Sequence, residues 1–250
     1  MFILKSKNSS TAPQHFAELR LRILWIIAFF AFSFCISYYF ANQIYAFLLQ
    51  PFLSISTTAR KLIFTAPSEV FFSYIKLSFY SAIFVSIPVA FLQLYLFLLP
   101  ALYLQEKKIA VLLLLISPLL FFLGAIFSYY FAIPLALKFF TSYETNFFST
   151  QSSGAEINLI LEAKISNYLD FIIDILIGFG LAFLTPVMLL LLIKTKIIDI
   201  SSIKNKRRYV IVAIFIIAAI LTPPDIFSQL ILAIIMILLF EISLLFAKFL

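Results

Sequence analysis

Six long apolar runs decide what this chain can fold into. They are Ile23–Ala41, Leu77–Leu99, Ile109–Phe131, Phe171–Ile193, Tyr209–Leu221 and Ile226–Ala247, to be read against the roughly 20 residues that carry a helix across hydrocarbon. Lipid offers the backbone no hydrogen-bond partner, so runs of this kind fold as helices. The expected class is an all-α integral membrane protein, one polytopic unit over residues 1–250. The second run begins near Val70 and is too long for one upright span. Its first turns should therefore stand out of the membrane, with Lys76 snorkelling. Pro88, Pro118 and Pro186 lie inside spans and predict bends there.

Composition agrees and excludes several classes. Hydrophobic residues make up 64% of the chain and charged ones 12%, with mean hydropathy +1.13; a soluble domain carries about twice that charged fraction. A single Cys (Cys35) excludes an internal disulfide and a thiolate cluster, and a single His (His15) argues against a histidine metal site. None of the four glycines belongs to G-x-x-x-x-G-K-[ST], so an ATP-driven mechanism would need a partner. No catalytic, metal or cofactor site is expected. The first apolar run exceeds a signal-peptide core and no A-x-A site follows it, so it reads as uncleaved. No internal repeat is evident, which weakens an inverted-repeat transporter.

Orientation follows from the cations. Thirteen of the 18 Lys and Arg fall on the side of the two termini and of the second and fourth connections. The positive-inside rule places both termini on the inner side, and the net charge of +7 becomes a topology signal. "LTPPDIFSQ", Leu221 to Gln229, then forms a tight outer hairpin where prolines interrupt nothing and Asp225 reaches water. The fifth run is roughly 20 Å of helix, and the sixth is apolar for roughly 22 Å before Glu241. Both are short of the ~30 Å core of a bilayer, a mismatch relieved by thinning lipid locally or by packing on longer neighbours.

Few side chains can carry chemistry. In "TAPQHFAELRLRILW", Thr11 and Gln14 have capping-box spacing, and Glu18 precedes Arg22 by four residues, the favourable order for an ion pair. Glu106 sits in "PALYLQEKK", where the second span leaves the membrane. Two carboxylates near one interface suit an arginine-bearing ligand, because guanidinium groups bind carboxylates through paired planar hydrogen bonds that lysine cannot reproduce. Equally, Glu18 can simply pair with Arg22, and Glu106 can balance Lys107 and Lys108. Composition does not choose.

Four stretches, in order, resemble the TatC family of the twin-arginine protein translocase. "HFAELRLR" is similar to its N-terminal motif H-x-x-E-L-R-x-R. "PSEVFFSYIKLSF" resembles its first outer cap, "LLPALYLQEKK" its inner glutamate loop, and "LTPPDIFSQ" the signature between its last helices. The resemblance runs from about Gln14 to Lys248. It implies six transmembrane helices in a concave bundle with short fifth and sixth members. It also implies a receptor for signal peptides with consecutive arginines, working with small TatA/TatB-like single-span partners to move folded proteins by the proton-motive force. By the same resemblance Glu18 and Glu106 contact the arginine pair, and Arg20, Arg22, Pro51, Asp225 and Gln229 match functional positions. Leu184 departs from the family's frequent Glu or Gln; Asp174, ten residues earlier, is an imperfect substitute.

A competing reading is a proton or solute channel in an energy-coupling complex. It would need a charged relay, yet no Arg or His is central in any run and Asp174 has no evident basic partner. An intramembrane hydrolase lacks a nucleophile–base pair. The implied location is an energy-transducing inner membrane: mitochondrial if organelle-encoded, which the Phe-rich, Gly-poor bias suits, and otherwise a bacterial plasma membrane.

Overall fold

The computed structural model describes residues 12–55, 63–98, 104–143, 163–194, 198–199, 202–203 and 206–249. Helix α1 (Ala12–Tyr39) is followed at once by α2 (Ala41–Ile55), and α3 spans Pro67–Leu98. Helix α4 (Leu104–Phe127) passes through a π-helical turn, Ser128–Ala132, into α5 (Ile133–Thr141). Helices α6 (Ile165–Ala182) and α7 (Thr185–Lys194) form a broken pair. Helix α8 (Arg207–Leu221) and α9 (Ile226–Phe249) form the closing hairpin. The end carrying Arg20, Arg22 and Arg207 is called inner below, following the cation distribution.

Five helical runs among the described residues are long and apolar enough to cross a membrane: Ala17–Tyr39, Pro67–Leu94, Leu115–Thr141, Ile165–Lys194 and Ile226–Ala247. The expected fifth crossing, 209–221, is helical, but the helix has only 15 residues and falls short of that length. The sixth follows its expected run, Ile226–Ala247, but is not short. It continues past Glu241 to a length of 24 residues, about 36 Å, so only its apolar stretch before Glu241 is short. Arg207 donates to Glu241 at 3.1 Å. This ion pair fastens the inner ends of the hairpin's arms about 15 residues, or roughly 22 Å, from the turn.

Of the three prolines expected to bend spans, only Pro186 coincides with a break: two turn residues separate α6 from α7, while α3 and α4 continue through Pro88 and Pro118. The π-helical turn has a cause in sequence. Pro134 has no N–H for the carbonyl of Tyr130 and would crowd it. The ladder widens instead, and the Ile133 N–H reaches the Ser128 carbonyl, five residues back.

Helices pack closely where side chains are small, as lipid-embedded helices must, because apolar attraction between them is weak. Along the α1–α3 contact, Ser33 and Ser37 are buried on α1 and Ser78, Ala82 and Ser86 on α3, each set at four-residue spacing. A Cβ at Gly124 would lie 2.5 Å from the Phe179 carbonyl oxygen, so α4 and α6 approach backbone to backbone. A Cβ at Gly178 would lie 2.8 Å from the carbonyl oxygen of Leu221, the last residue of α8. Gly178 lies roughly 20 Å along α6 from its outer start. The α8–α9 turn is therefore recessed against the middle of the α6–α7 pair. Phe227 at the start of α9 stacks on Phe139 of α5 with centroids 4.3 Å apart, which caps the recess.

Gly178→Val should overpack this contact and lower stability by about 1–3 kcal/mol, read as a fall in melting temperature in detergent; an unchanged melt would show the approach to be slack. Spin labels on the exposed Ile216 and Ile234 should report a bilayer thinner than that around α1. Depths matching α1 would remove the mismatch.

Candidate functional site

At the inner end, α1 presents Glu18, Arg20 and Arg22. The four-residue spacing puts Glu18 and Arg22 on one face, and Arg20 two residues from each points elsewhere. Arg22 Nε donates to Glu18 Oε1 at 3.2 Å, and a terminal nitrogen of the same guanidinium donates to that oxygen too. The other terminal nitrogen donates to Gln93 Oε1 on α3 at 3.3 Å. Arg22 is thus pinned between two helices with its side chain 19% exposed, against 40% for Glu18, while Arg20 is exposed. The structure makes the Glu18–Arg22 pair and adds Gln93, which sequence reasoning missed. Its signal was present: Gln93 is the one amide in the run from Val89 to Leu98. Glu106 falls in the first turn of α4, at the same end of the bundle; its side chain, like those of Gln14 and His15, lies outside the described residues, as does Thr11.

Pro51 occupies the interior of α2. Lacking an N–H, it leaves the Phe47 carbonyl without its helical donor. The Tyr129 hydroxyl donates to that carbonyl at 2.7 Å, and its ring stacks on Phe47 at 4.5 Å. Tyr129 comes from the π-helical turn that Pro134 imposes. The Tyr168 hydroxyl of α6 donates to the next carbonyl, Leu48, at 2.9 Å. Pro51 is thus tied to the bundle through a vacancy it creates. Neither tyrosine was singled out in the sequence, since nothing local marks partners 82 and 120 residues away.

On the outer side, Asp225 caps α9: Oδ1 accepts the Ser228 N–H at 2.6 Å, the N-cap arrangement that satisfies an orphan donor. Gln229 Nε2 donates across the hairpin to the Phe215 carbonyl at 3.5 Å. Both residues therefore set the hairpin's geometry. At the outer end of α6 the segments before α3 and α6 are clasped. Ile63 and Lys164 pair in a short parallel bridge. Buried Glu69 accepts from the Thr65 N–H at 2.8 Å and from the Ser166 hydroxyl at 2.9 Å, with Lys164 at 3.6 Å.

Lys76 does not snorkel alone; its ammonium meets Asp170 at 2.5 Å. Asp174 lies one turn further along α6 and is exposed. Leu184 is 8% exposed, within the α6–α7 break. An apolar cavity of about 490 Å³ opens between α2, α3, α4 and α6, lined by Leu77, Tyr80, Phe84, Phe122, Tyr130 and Ile173 among others. No group of three or more His, Cys, Asp or Glu that could hold a metal occurs among the described residues.

Comparison with known proteins gives one answer. The family model described as Sec-independent protein translocase protein (TatC) matches residues 14–234. The chain is similar to the Sec-independent protein translocase protein TatC of Rickettsia prowazekii, 44% identical over 94% of this chain and 92% of that one. The Escherichia coli K12 protein of the same name is 37% identical over 94% and 87%, and a tatC-like protein of Reclinomonas americana is 37% identical over 92% and 84%. A crystal structure of a twin arginine translocase receptor, TatC, superposes with TM-score 0.77 at 35% identity, over 94% of this chain and 98% of that one.

Tyr129→Phe should cost about 1–3 kcal/mol by leaving the Phe47 carbonyl unsatisfied. Pro51→Ala supplies the missing N–H, so Pro51→Ala with Tyr129→Phe should cost less than the two single changes added together. Strict additivity in detergent melts would sever the link.

Proposed function

This chain belongs to the TatC family of Sec-independent protein translocases, protein-transport components rather than enzymes, and from that premise we propose that it is the receptor and scaffold of twin-arginine transport. Glu18 and Glu106 bind the paired arginines of a signal peptide at the inner surface. The observation that carries this reading is the fork already standing on Glu18: one guanidinium reaches it through two nitrogens, so the carboxylate has room and orientation for that chemistry. The apolar part of the signal inserts along the bundle's concave face, where the cavity beside α3 offers an apolar wall.

TatA/TatB-like single-span partners gather where the short hairpin thins the bilayer, and the proton-motive force drives passage. No step is covalent. Copies of this chain assemble with one another and with those partners in an energy-transducing inner membrane, termini inward. Kinship to bacterial chains and to the Reclinomonas protein supports a bacterial plasma membrane or a mitochondrial inner membrane. The family favours protein transport over the channel reading.

Glu18→Ala and Glu106→Ala should each reduce crosslinking of a twin-arginine signal peptide, and the double variant should abolish it. Crosslinking at the unmodified level in the double variant would refute the assignment.

A further inference from the structure

We propose that Arg22, held by Gln93, sets the site's preference for arginine over lysine: it is a resident guanidinium on Glu18, which an incoming signal peptide must displace. The inference rests on the reading that Glu18 receives a signal arginine. It goes beyond that reading in assigning Arg22 and Gln93 a role in specificity.

The geometry carries it. Two nitrogens of Arg22 converge on Glu18 Oε1 and the third is anchored on Gln93 Oε1 of the neighbouring α3. The acid is twice as exposed as the cation that holds it, so a ligand meets Glu18 from outside with Arg22 behind. The displaced Arg22 keeps its Gln93 partner, which lowers the cost of release. The entrant must restore what Glu18 gives up. A guanidinium returns a planar pair of charge-assisted bonds. An ammonium is a compact, strongly hydrated point charge and does not. Without the resident, Glu18 would be a partly exposed carboxylate, on which lysine and arginine pair with similarly small energies. Discrimination thus comes from the replaced contact as much as from the new one.

The test uses the full chain in nanodiscs with fluorescent signal peptides that carry Arg-Arg or Lys-Lys and are otherwise identical. The original chain should prefer Arg-Arg by about tenfold or more, the factor that corresponds to one such bond. Arg22→Lys replaces the fork by a point charge and keeps the charge that the fold holds at this end. It should cut the preference to a few-fold, mainly by tighter Lys-Lys binding. Gln93→Leu should shift the preference the same way by a smaller factor. An undiminished preference in both variants overturns the proposal, as does loss of Arg-Arg binding in Arg22→Lys to the level of Glu18→Gln. Glu18→Gln separates the two readings. If it leaves Arg-Arg binding intact, the Glu18 receptor reading itself fails; if it abolishes binding while the preference stays fixed in the other variants, only the resident-guanidinium role fails.

Discussion

Hydrocarbon gives a backbone carbonyl nothing to bond to, and the rest of this structure is arranged around that constraint. Each proline inside the bundle removes one donor, so each raises the question of where the freed acceptor goes. At Pro51 the answer is the Tyr129 hydroxyl. At Pro134 the ladder itself widens by one residue, and that turn carries Tyr129. Two interruptions far apart in sequence thus meet in one contact. At Pro223 and Pro224 the chain leaves the helix altogether, with Thr222 folding its hydroxyl back to the Ala218 carbonyl and Asp225 opening the next helix. None of these devices relies on water.

The same scarcity of solvent explains the packing. Apolar side chains gain little by leaving lipid for one another, so close approach is won where side chains vanish. Gly124 and Gly178 bring α4 and α8 against α6 at backbone distance, and serines with alanine line the seam of α1 and α3. The recessed turn is one outcome: with Leu221 against the middle of the α6–α7 pair and Arg207 paired with Glu241, the polar brackets of the hairpin are closer together than a bilayer's faces.

How much was legible in the sequence follows from the range of each signal. Apolar runs are local, and they located the helices, the hairpin and the cation-rich end. The Glu18–Arg22 pair is a one-turn relation, readable from spacing alone. Helix α2 was hidden because its amphipathic 15 residues directly continue α1 and are too few to signal a span. The extension through α5 lies beyond the third apolar run, which ends at Phe131; a π turn carries the helix on past Pro134. Gln93, Tyr129 and Asp170 act across helices, and periodicity carries no record of partners across helices.

The position of Arg22 shows how scaffold and site depend on each other. A guanidinium at the inner end of a lipid-facing helix would ordinarily reach for headgroups, as the exposed Arg20 is free to do. Arg22 instead turns inward, because α3 lies close enough for Gln93 to meet it. That closeness depends on the small-residue seam further along the same two helices. A bulky residue at Ser37 or Ala82 would therefore act at a distance: the helices would splay, Gln93 would lose Arg22, and Glu18 would keep its charge but lose the orientation of its partner. The Glu18–Arg22–Gln93 contact lies at the inner end, and its geometry is set further along the same two helices.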